Sequence, residues 1–379
     1  MMLETSRSNG RKIALDITSI RTNPVGTGIY TRQLMQSLRT VIGARLQPVS
    51  FDPLEVGLGN KTVRQRLTTL VHDLWWTQSG VERAARQASA RLLHLPVPLG
   101  PVRPGLPMVV TIHDVAIFRF PEKFRLWARH FARLIIPKVA QRASVIIAPS
   151  AATKADLVNM LDIPEEQITC VPNGVGEEFT PFAHDSDELQ RVRARYQLPR
   201  RFLFSVGAVE PRKNLVRLLH AVYRLRGSGN TSDLQLVHAG PAGWLAHDVG
   251  ETMNALRLHE AVRFLGYIPA EDLPALYGAS TMVIYPSLFE GFGLPVVEAL
   301  ACGAPVVTSN TSSLPEVGGD AALLVDPLSI DAIADAIASL WNDEAKRADM
   351  SRRGILHAAN YSWERTARET AEVYERVLA

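Results

Sequence analysis

Two glutamates, Glu290 and Glu298, stand eight residues apart in the stretch LFEGFGLPVVEALACGAPVV, residues 288–307, with Gly291, Gly293 and Pro295 between them. Glycines allow unusual backbone dihedrals and the close approach of a ligand. Proline suits a first helical turn, where its missing N–H would have no partner anyway. The run from Leu294 to Cys302 therefore reads as a helix stopped by Gly303, with Glu290 in the loop before it and Glu298 one turn in. Carboxylates so placed can accept hydrogen bonds from sugar or ribose hydroxyls. The N–H groups of Gly291, Phe292, Gly293 and Leu294, at the mouth of the helix, suit an anion. Together these features point to a polyhydroxylated, phosphorylated ligand.

Three further stretches carry related chemistry. Arg212 and Lys213, in AVEPRKNL, set a bidentate fork beside a point charge just before a helix, a pair suited to a diphosphate. His113, followed by Asp114 after the apolar run VVTI, can donate to hydroxyl or phosphate oxygens or act in proton transfer. Gly26 and Gly28, in NPVGTGIYTRQL, precede a helix whose N–H groups can face a phosphate. As a dinucleotide fingerprint this last stretch is incomplete, because Thr31 stands where the third glycine or alanine belongs, which leaves a dehydrogenase as a remote reading. Each feature alone has a plain structural alternative: a capped helix start, exposed cations, a structural histidine, a glycine-rich turn. Those alternatives do not explain why four loops at strand ends all present phosphate- or hydroxyl-binding groups.

The elements that position these loops alternate along the chain. KIALDI, LQPVSF, LLHLPV, VVTIHD, SVIIAPS and ITCVPNG are short β-rich runs with helical patterns between most of them, notably 122–142 and 151–161. Residues 176–199 read as a linker with a short helix. A second set then follows: FLFSVG, a helix from Asn214, LQLVHAG, VRFLG, MVIYPS and PVVTS. This alternation predicts two doubly wound, Rossmann-like α/β domains, 1–180 and 181–361, facing each other across a cleft. The final segment, 362–379, is expected to pack back onto the first domain.

Composition narrows the class. The chain has 379 residues, 46% of them apolar and 21% charged, as in ordinary globular proteins. No apolar run approaches the ~18 residues of a membrane span, and MMLETSRSNGRK has no signal-peptide core, so a cytoplasmic protein is expected. Cys170 and Cys302 are too few for a disulfide framework or a cysteine zinc site. There is no Walker loop, no His-Glu-x-x-His, no Gly-x-Ser-x-Gly and no nucleic-acid motif. The only Asp-x-Asp, Asp185–Asp187, falls in the linker and reads as solvated, so no metal or other cofactor is expected and Arg212 and Lys213 would have to neutralise a leaving diphosphate.

Charge is unevenly spread. Residues 1–180 hold 22 Lys and Arg against 14 Asp and Glu, whereas the remainder holds 19 against 24. Within the basic half, Arg125, Arg129 and Arg133 recur at helical spacing, as do Phe124, Trp127, Phe131 and Ile135. Such a helix can lie on an anionic membrane, or pack its apolar stripe on the first sheet with the arginines in water. Trp75 and Trp76, in a region with Arg64, Arg66 and Arg83, lean towards membrane contact.

These residues resemble the retaining glycosyltransferases of family 4, which have the GT-B fold. The resemblance spans nearly the whole chain, through TIHD, APSAATKADL, VPNGV, SVGAVEPRKN, FEGFGLPVVEALACGAPVV and LPEVGGDAALLVDP in that order. It implies a nucleotide-sugar donor held mainly by the second domain. By that analogy Arg212 and Lys213 bind the diphosphate, Glu298 the ribose, and Glu290 with the backbone of Gly291, Phe292 and Gly293 the transferred sugar. The same analogy sets Gly266, Tyr267 and Ile268 near the base, Gly26 and Gly28 over the phosphates, and His113 against the sugar. It further implies metal-independent transfer with retention by front-face attack. GTGIYT, TIHDVAIFRFPEKF and AGPAGW look like bacterial mannosyltransferases of polysaccharide assembly. GDP-mannose is then the first choice of donor, with UDP-sugars behind it, and a glycan or polyprenyl-linked saccharide the acceptor. A nucleotide-sugar epimerase or phosphorylase, or a non-catalytic nucleotide- or glycan-binding protein, stands as the alternative.

Overall fold

The computed structural model describes residues 11–23, 26–51, 72–121, 126–183, 185–241 and 246–379. The chain forms two compact units, one of residues 1–174 with 362–379 and the other of residues 175–361. The boundary falls six residues before the one read from sequence. The reason is packing: the Val175 N–H donates to the Tyr361 carbonyl at 3.1 Å, and Val175, Phe179 and Phe182 lie against the core of the second unit.

The first unit is built on six parallel strands: β1 (Lys12–Asp16), β2 (Leu46–Val49), β3 (Ala90–Leu95), β4 (Met108–Thr111), β5 (Val145–Ala148) and β6 (Ile168–Cys170), in the order β2-β1-β3-β4-β5-β6. A parallel sheet is covered on both faces, so its central strands are largely apolar; β4 is buried at every position. The helix Thr27–Ile42 buries Tyr30, Leu34 and Leu38 in the same cluster to which the C-terminal helix Trp363–Leu378 contributes Trp363, Ala367 and Tyr374. Ser362 caps that last helix through the Arg365 N–H.

Two features of this unit differ from the sequence reading. Trp76 does not face outward: it is buried, its ring beside Phe51 and its Nε1 donating to Asp16 at 3.3 Å. Trp75 is exposed, while Arg64 and Arg66 lie outside the described residues. The helix Leu126–Arg142 turns Ala132, Ile136, Val139 and Ala140 inward, so its buried face is one position on from the expected Phe131–Ile135 stripe, and those two are only half-buried. Arg133 is exposed and Arg129 half-buried, beside an exposed Leu134. Arg125 and the side chain of Trp127 lie outside the described residues.

The second unit holds β7 (Leu203–Val206), β8 (Leu236–Ala239), β9 (Val262–Gly266), β10 (Met282–Tyr285), β11 (Val306–Ser309) and β12 (Ala322–Val325), all parallel, in the order β12-β11-β10-β7-β8-β9. The helices Leu215–Arg226 and Ile330–Trp341 supply one apolar cluster, and Leu273–Ala279 with Leu294–Ala301 the other. The chain runs outward from β7 to β9, returns to β10 beside β7, then runs outward the other way. The loops that follow β7 and β10 therefore meet at the point where the winding reverses, the place where doubly wound sheets bind ligands. Strand β12 was not read from the sequence as a strand. It is an edge strand in which only Val325 is fully buried, although Ala322–Val325 is as apolar in sequence as its neighbours.

Candidate active site

The loop after β7 and the loop after β10 are joined by backbone and side chain. The Leu288 N–H donates to the Arg212 carbonyl at 2.8 Å, and the Ser287 hydroxyl to the same oxygen at 3.0 Å. Asn214 adds a second tie. It is 3% exposed, holds a left-handed φ of 62°, and its Nδ2 donates to the carbonyls of Pro286 at 3.0 Å and Pro327 at 2.6 Å. One amide thus links the loops after β7, β10 and β12, just after the two cations.

Glu290 lies where these loops converge and is 8% exposed. Its Oε2 accepts from Arg212 Nη1 at 2.6 Å, while Oε1 accepts from Lys213 Nζ at 2.7 Å, Ser287 Oγ at 2.6 Å and the Tyr285 hydroxyl at 2.9 Å. Lys213 also donates to the Tyr285 hydroxyl, and Arg212 to the Phe289 carbonyl. Burial alone would raise the Glu290 carboxyl, but the charges of Lys213 and Arg212, with the hydrogen bonds from Lys213 and Ser287, outweigh it and hold it down to about 2. Burial lowers the Lys213 ammonium, against the pull of Glu290. The sequence suggested that Glu290 meets a sugar hydroxyl. In the structure its carboxylate oxygens hold the two cations.

The backbone of the loop is fixed from another direction. The Glu290 N–H donates to Ser312 Oγ at 3.0 Å, and Ser313 Oγ donates to the carbonyls of Glu290 and Phe292 at 2.9 and 2.7 Å. Phe292 turns its ring inward against Tyr361. Gly293 ends the loop at φ 106°, where a Cβ would also sit 2.8 Å from a Leu314 methyl, so glycine is required. The helix Leu294–Ala301 then begins, with Pro295 in its first turn. Glu298 on that helix is partly buried and accepts from the Tyr277 hydroxyl at 2.9 Å. Burial raises its carboxyl to about 7, with Tyr277 opposing and the Glu178 charge adding to the rise. Gly266, Tyr267 and Ile268 close β9: the Gly266 carbonyl accepts from Gly240, Ile268 packs on the core, and Tyr267 is 76% exposed.

The structure thus brings Arg212, Lys213 and Glu290 into contact. Tyr285 and Ser287, which sequence reading passed over, were findable as polar residues at the end of a strand flanking Pro286. Ser312 and Ser313 gave no such signal, since they reach Glu290 only through the fold.

In the first unit, Gly26 has φ 52° and Gly28 lies in the first turn of the helix Thr27–Ile42. A Cβ on Gly28 would fall 1.9 Å from the Asn23 carbonyl oxygen, so this glycine serves close packing within the loop. His113 is half-buried, its ring edge-on to Tyr30 at 4.5 Å and its Nε2 3.0 Å from the Pro96 carbonyl. A carbonyl only accepts, so Nε2 carries the proton. Burial lowers the His113 imidazole, opposed by Asp114 and by the Pro96 bond. The ring is then neutral at neutral pH with Nδ1 an acceptor, which suits a hydroxyl better than the phosphate oxygen considered from sequence. Among the described residues, the one cluster with metal-ligand spacing is His247, Asp248 and Glu251, exposed on a helix and outside these loops. Asp185 and Asp187 are exposed.

Comparison with known proteins decides the family. Residues 186–357 match the model for group 1 glycosyl transferases, and residues 48–179 the model for glycosyltransferase family 4. The O-antigen chain mannosyltransferase B of Escherichia coli is 33% identical over 70% of each chain. This chain belongs to the family 4 glycosyltransferases. A serotype-specific mannosyltransferase of Escherichia coli is 29% identical over 71% of this glycosyltransferase, which spans only 33% of that larger protein. Among solved structures, HepE of Anabaena in complex with UDP and glucose superposes with a TM-score of 0.73 over 96% of this chain and 99% of that one, at 19% identity. The fold is GT-B, and the paired parallel sheets are its two Rossmann-like halves.

Proposed function

We propose that this glycosyltransferase moves mannose from GDP-mannose, with retention of anomeric configuration, onto a glycan or polyprenyl-linked acceptor in cell-surface polysaccharide synthesis. The observation that carries the reading is the convergence of Arg212, Lys213 and Glu290 where the winding of the second sheet reverses. There the two cations would take the diphosphate, aided by the N–H groups at the start of Leu294–Ala301, and Glu298 a ribose hydroxyl. As the C1–O bond to the donor phosphate breaks, the electron pair passes to a leaving diphosphate that Arg212 and Lys213 stabilise. The acceptor oxygen then bonds C1 from the same face and its proton goes to the departing phosphate oxygen. His113 would accept a hydrogen bond from the transferred sugar. No metal is required in this scheme. The named relatives support mannose, and HepE, crystallised with UDP and glucose, supports keeping a UDP-sugar as the second donor reading.

The test is a donor panel. Labelled GDP-mannose should transfer label to a lipid-linked or soluble glycan acceptor in the presence of a chelator, with the α-linkage of the donor preserved by NMR. Label recovered only as an epimerised nucleotide-sugar, or an inverted linkage, would refute it. Preference for a UDP-sugar would move the donor and leave the reaction class intact.

A further inference from the structure

The opposite edge of the second sheet carries a groove that the proposed reaction does not use. Its floor crosses the beginnings of four adjacent strands, with Arg201 before β7, Gln235 before β8, Thr281 before β10 and Pro305 before β11. The strands are parallel and the donor loops leave their far ends, so the length of a four-residue strand, roughly 13 Å, separates the two. The groove holds about 1080 Å³, the scale of a small-molecule site.

Its lining is basic and held in place. Arg193, Arg200, Arg201, Arg347 and Arg352 line it, against the carboxylates of Asp233 and Glu344. Arg193 Nη1 donates to the Pro199 carbonyl at 3.1 Å and Nη2 to Ala279 at 2.7 Å. Arg201 stacks over the Trp341 ring at 4.2 Å and donates to the Trp341 carbonyl, and Arg347 Nη1 donates to that same oxygen at 2.9 Å. Two guanidinium groups therefore converge on the end of the helix Ile330–Trp341, whose dipole supplies only about half a negative charge. The acids do not balance the rest: Asp233 sits 3.8 Å from Arg201 and also accepts from Trp341 Nε1, and Arg352 is met by Asp349. Burial opposes the charge of Arg193; at Arg347 burial and the Arg201 charge outweigh the support that Glu344 and Asp343 give. Arginine does not shed its proton, and each fork has five N–H donors, more than these bonds occupy. Forks clamped by carbonyls are pre-organised for an anion.

We infer that this groove is a second anion site, distinct from the donor loops, which takes a small ligand bearing phosphoryl groups. Inorganic pyrophosphate is the probe, titrated calorimetrically into the full chain at constant ionic strength. Binding should be saturable, should persist in Lys213→Gln, and should weaken about tenfold or more in Arg200→Gln and in Arg347→Gln. Arg200 is exposed on the rim, so its substitution leaves the fold intact, and a thermal melt checks Arg347→Gln. Absence of saturable binding overturns the site. So does binding lost in Lys213→Gln and unchanged in Arg200→Gln, which would assign the anion to the donor loops.

Discussion

Four donors surround the Glu290 carboxylate, and this decides what substitution there does. Glu290→Ala leaves Lys213 and Arg212 facing each other in a mostly buried setting, with only the more distant Glu210, 3.8 Å from Arg212, as counter-charge. Breaking such a pair costs about 3–5 kcal/mol, so we expect a lower melting temperature as well as lost donor binding. Glu290→Gln keeps an oxygen for some of the same donors. It should stay closer to wild-type stability yet transfer sugar at least ~100-fold more slowly, a loss of about 2.7 kcal/mol in the transition state. Denaturant unfolding beside a transfer assay separates the two effects, and near-normal transfer by Glu290→Gln would remove Glu290 from the site. Glu298 makes a different prediction. Its folded value of about 7 lies above the ordinary 4.5, so the folded state holds the proton more tightly than the unfolded chain. Its contribution to stability therefore falls as pH rises from 4.5 to about 7 and is level above that. A ribose hydroxyl donating to the carboxylate favours the charged form, so donor binding should strengthen as pH rises through 7. The donor KM measured from pH 5.5 to 8.5 should fall accordingly, and Glu298→Gln should flatten the profile.

At the scale of elements, the loops after β7 and β10 act as one part because Asn214 joins them. Asn214→Ala removes two bonds to buried carbonyls and puts alanine at a left-handed φ. Unpaired buried groups cost about 1–3 kcal/mol each. The sharper sign is kinetic: Arg212 and Lys213 lose their setting, so donor KM should rise at least tenfold. Asn214→Gly, which restores the φ but not the bonds, should recover stability more than KM. Equal recovery of both would make Asn214 a backbone device only. This junction also marks where sequence reading stops. Most strands of the second sheet were legible as short apolar runs bounded by Gly, Pro or Ser, whereas β12, an equally apolar run at the sheet edge, was passed over. Arg212, Lys213 and Glu290 were legible because each follows a strand. Their contact with one another was not legible, and the serines that hold Glu290 come from 22 and 23 residues further on. Asn214 looked like an ordinary helix start; its part depends on a φ and on Pro327, 113 residues away.

For the molecule as a whole, the uneven charge is the property still to be given a use. The first 180 residues carry the excess of Lys and Arg, and no helix among the described residues is long and apolar enough to cross a membrane. The helix Leu126–Arg142 offers Arg133 and Leu134 side by side on its exposed face, with Leu134 61% exposed, while Ala132, Ile136, Val139 and Ala140 are buried. The burial of Trp76 weakens the case that the aromatic pair adds an anchor, so attraction has to come from charge. A basic residue near an anionic leaflet contributes about 1 kcal/mol, screened within a Debye length of roughly 8 Å at physiological salt. Arg125, Arg129 and Arg133 together would then give reversible binding of only about 3 kcal/mol, enough to concentrate the enzyme near a lipid-linked acceptor and weak enough to be released by salt. Co-sedimentation with vesicles containing anionic lipid at low salt should retain the protein, neutral vesicles should not, and the triple glutamine variant at these arginines should lose most of the retention. The same variant should keep its activity on a water-soluble acceptor, because the donor-loop residues are untouched. If the wild-type protein ignores anionic vesicles at low salt, the basic helix is a solvated face and the acceptor must be reached without the membrane.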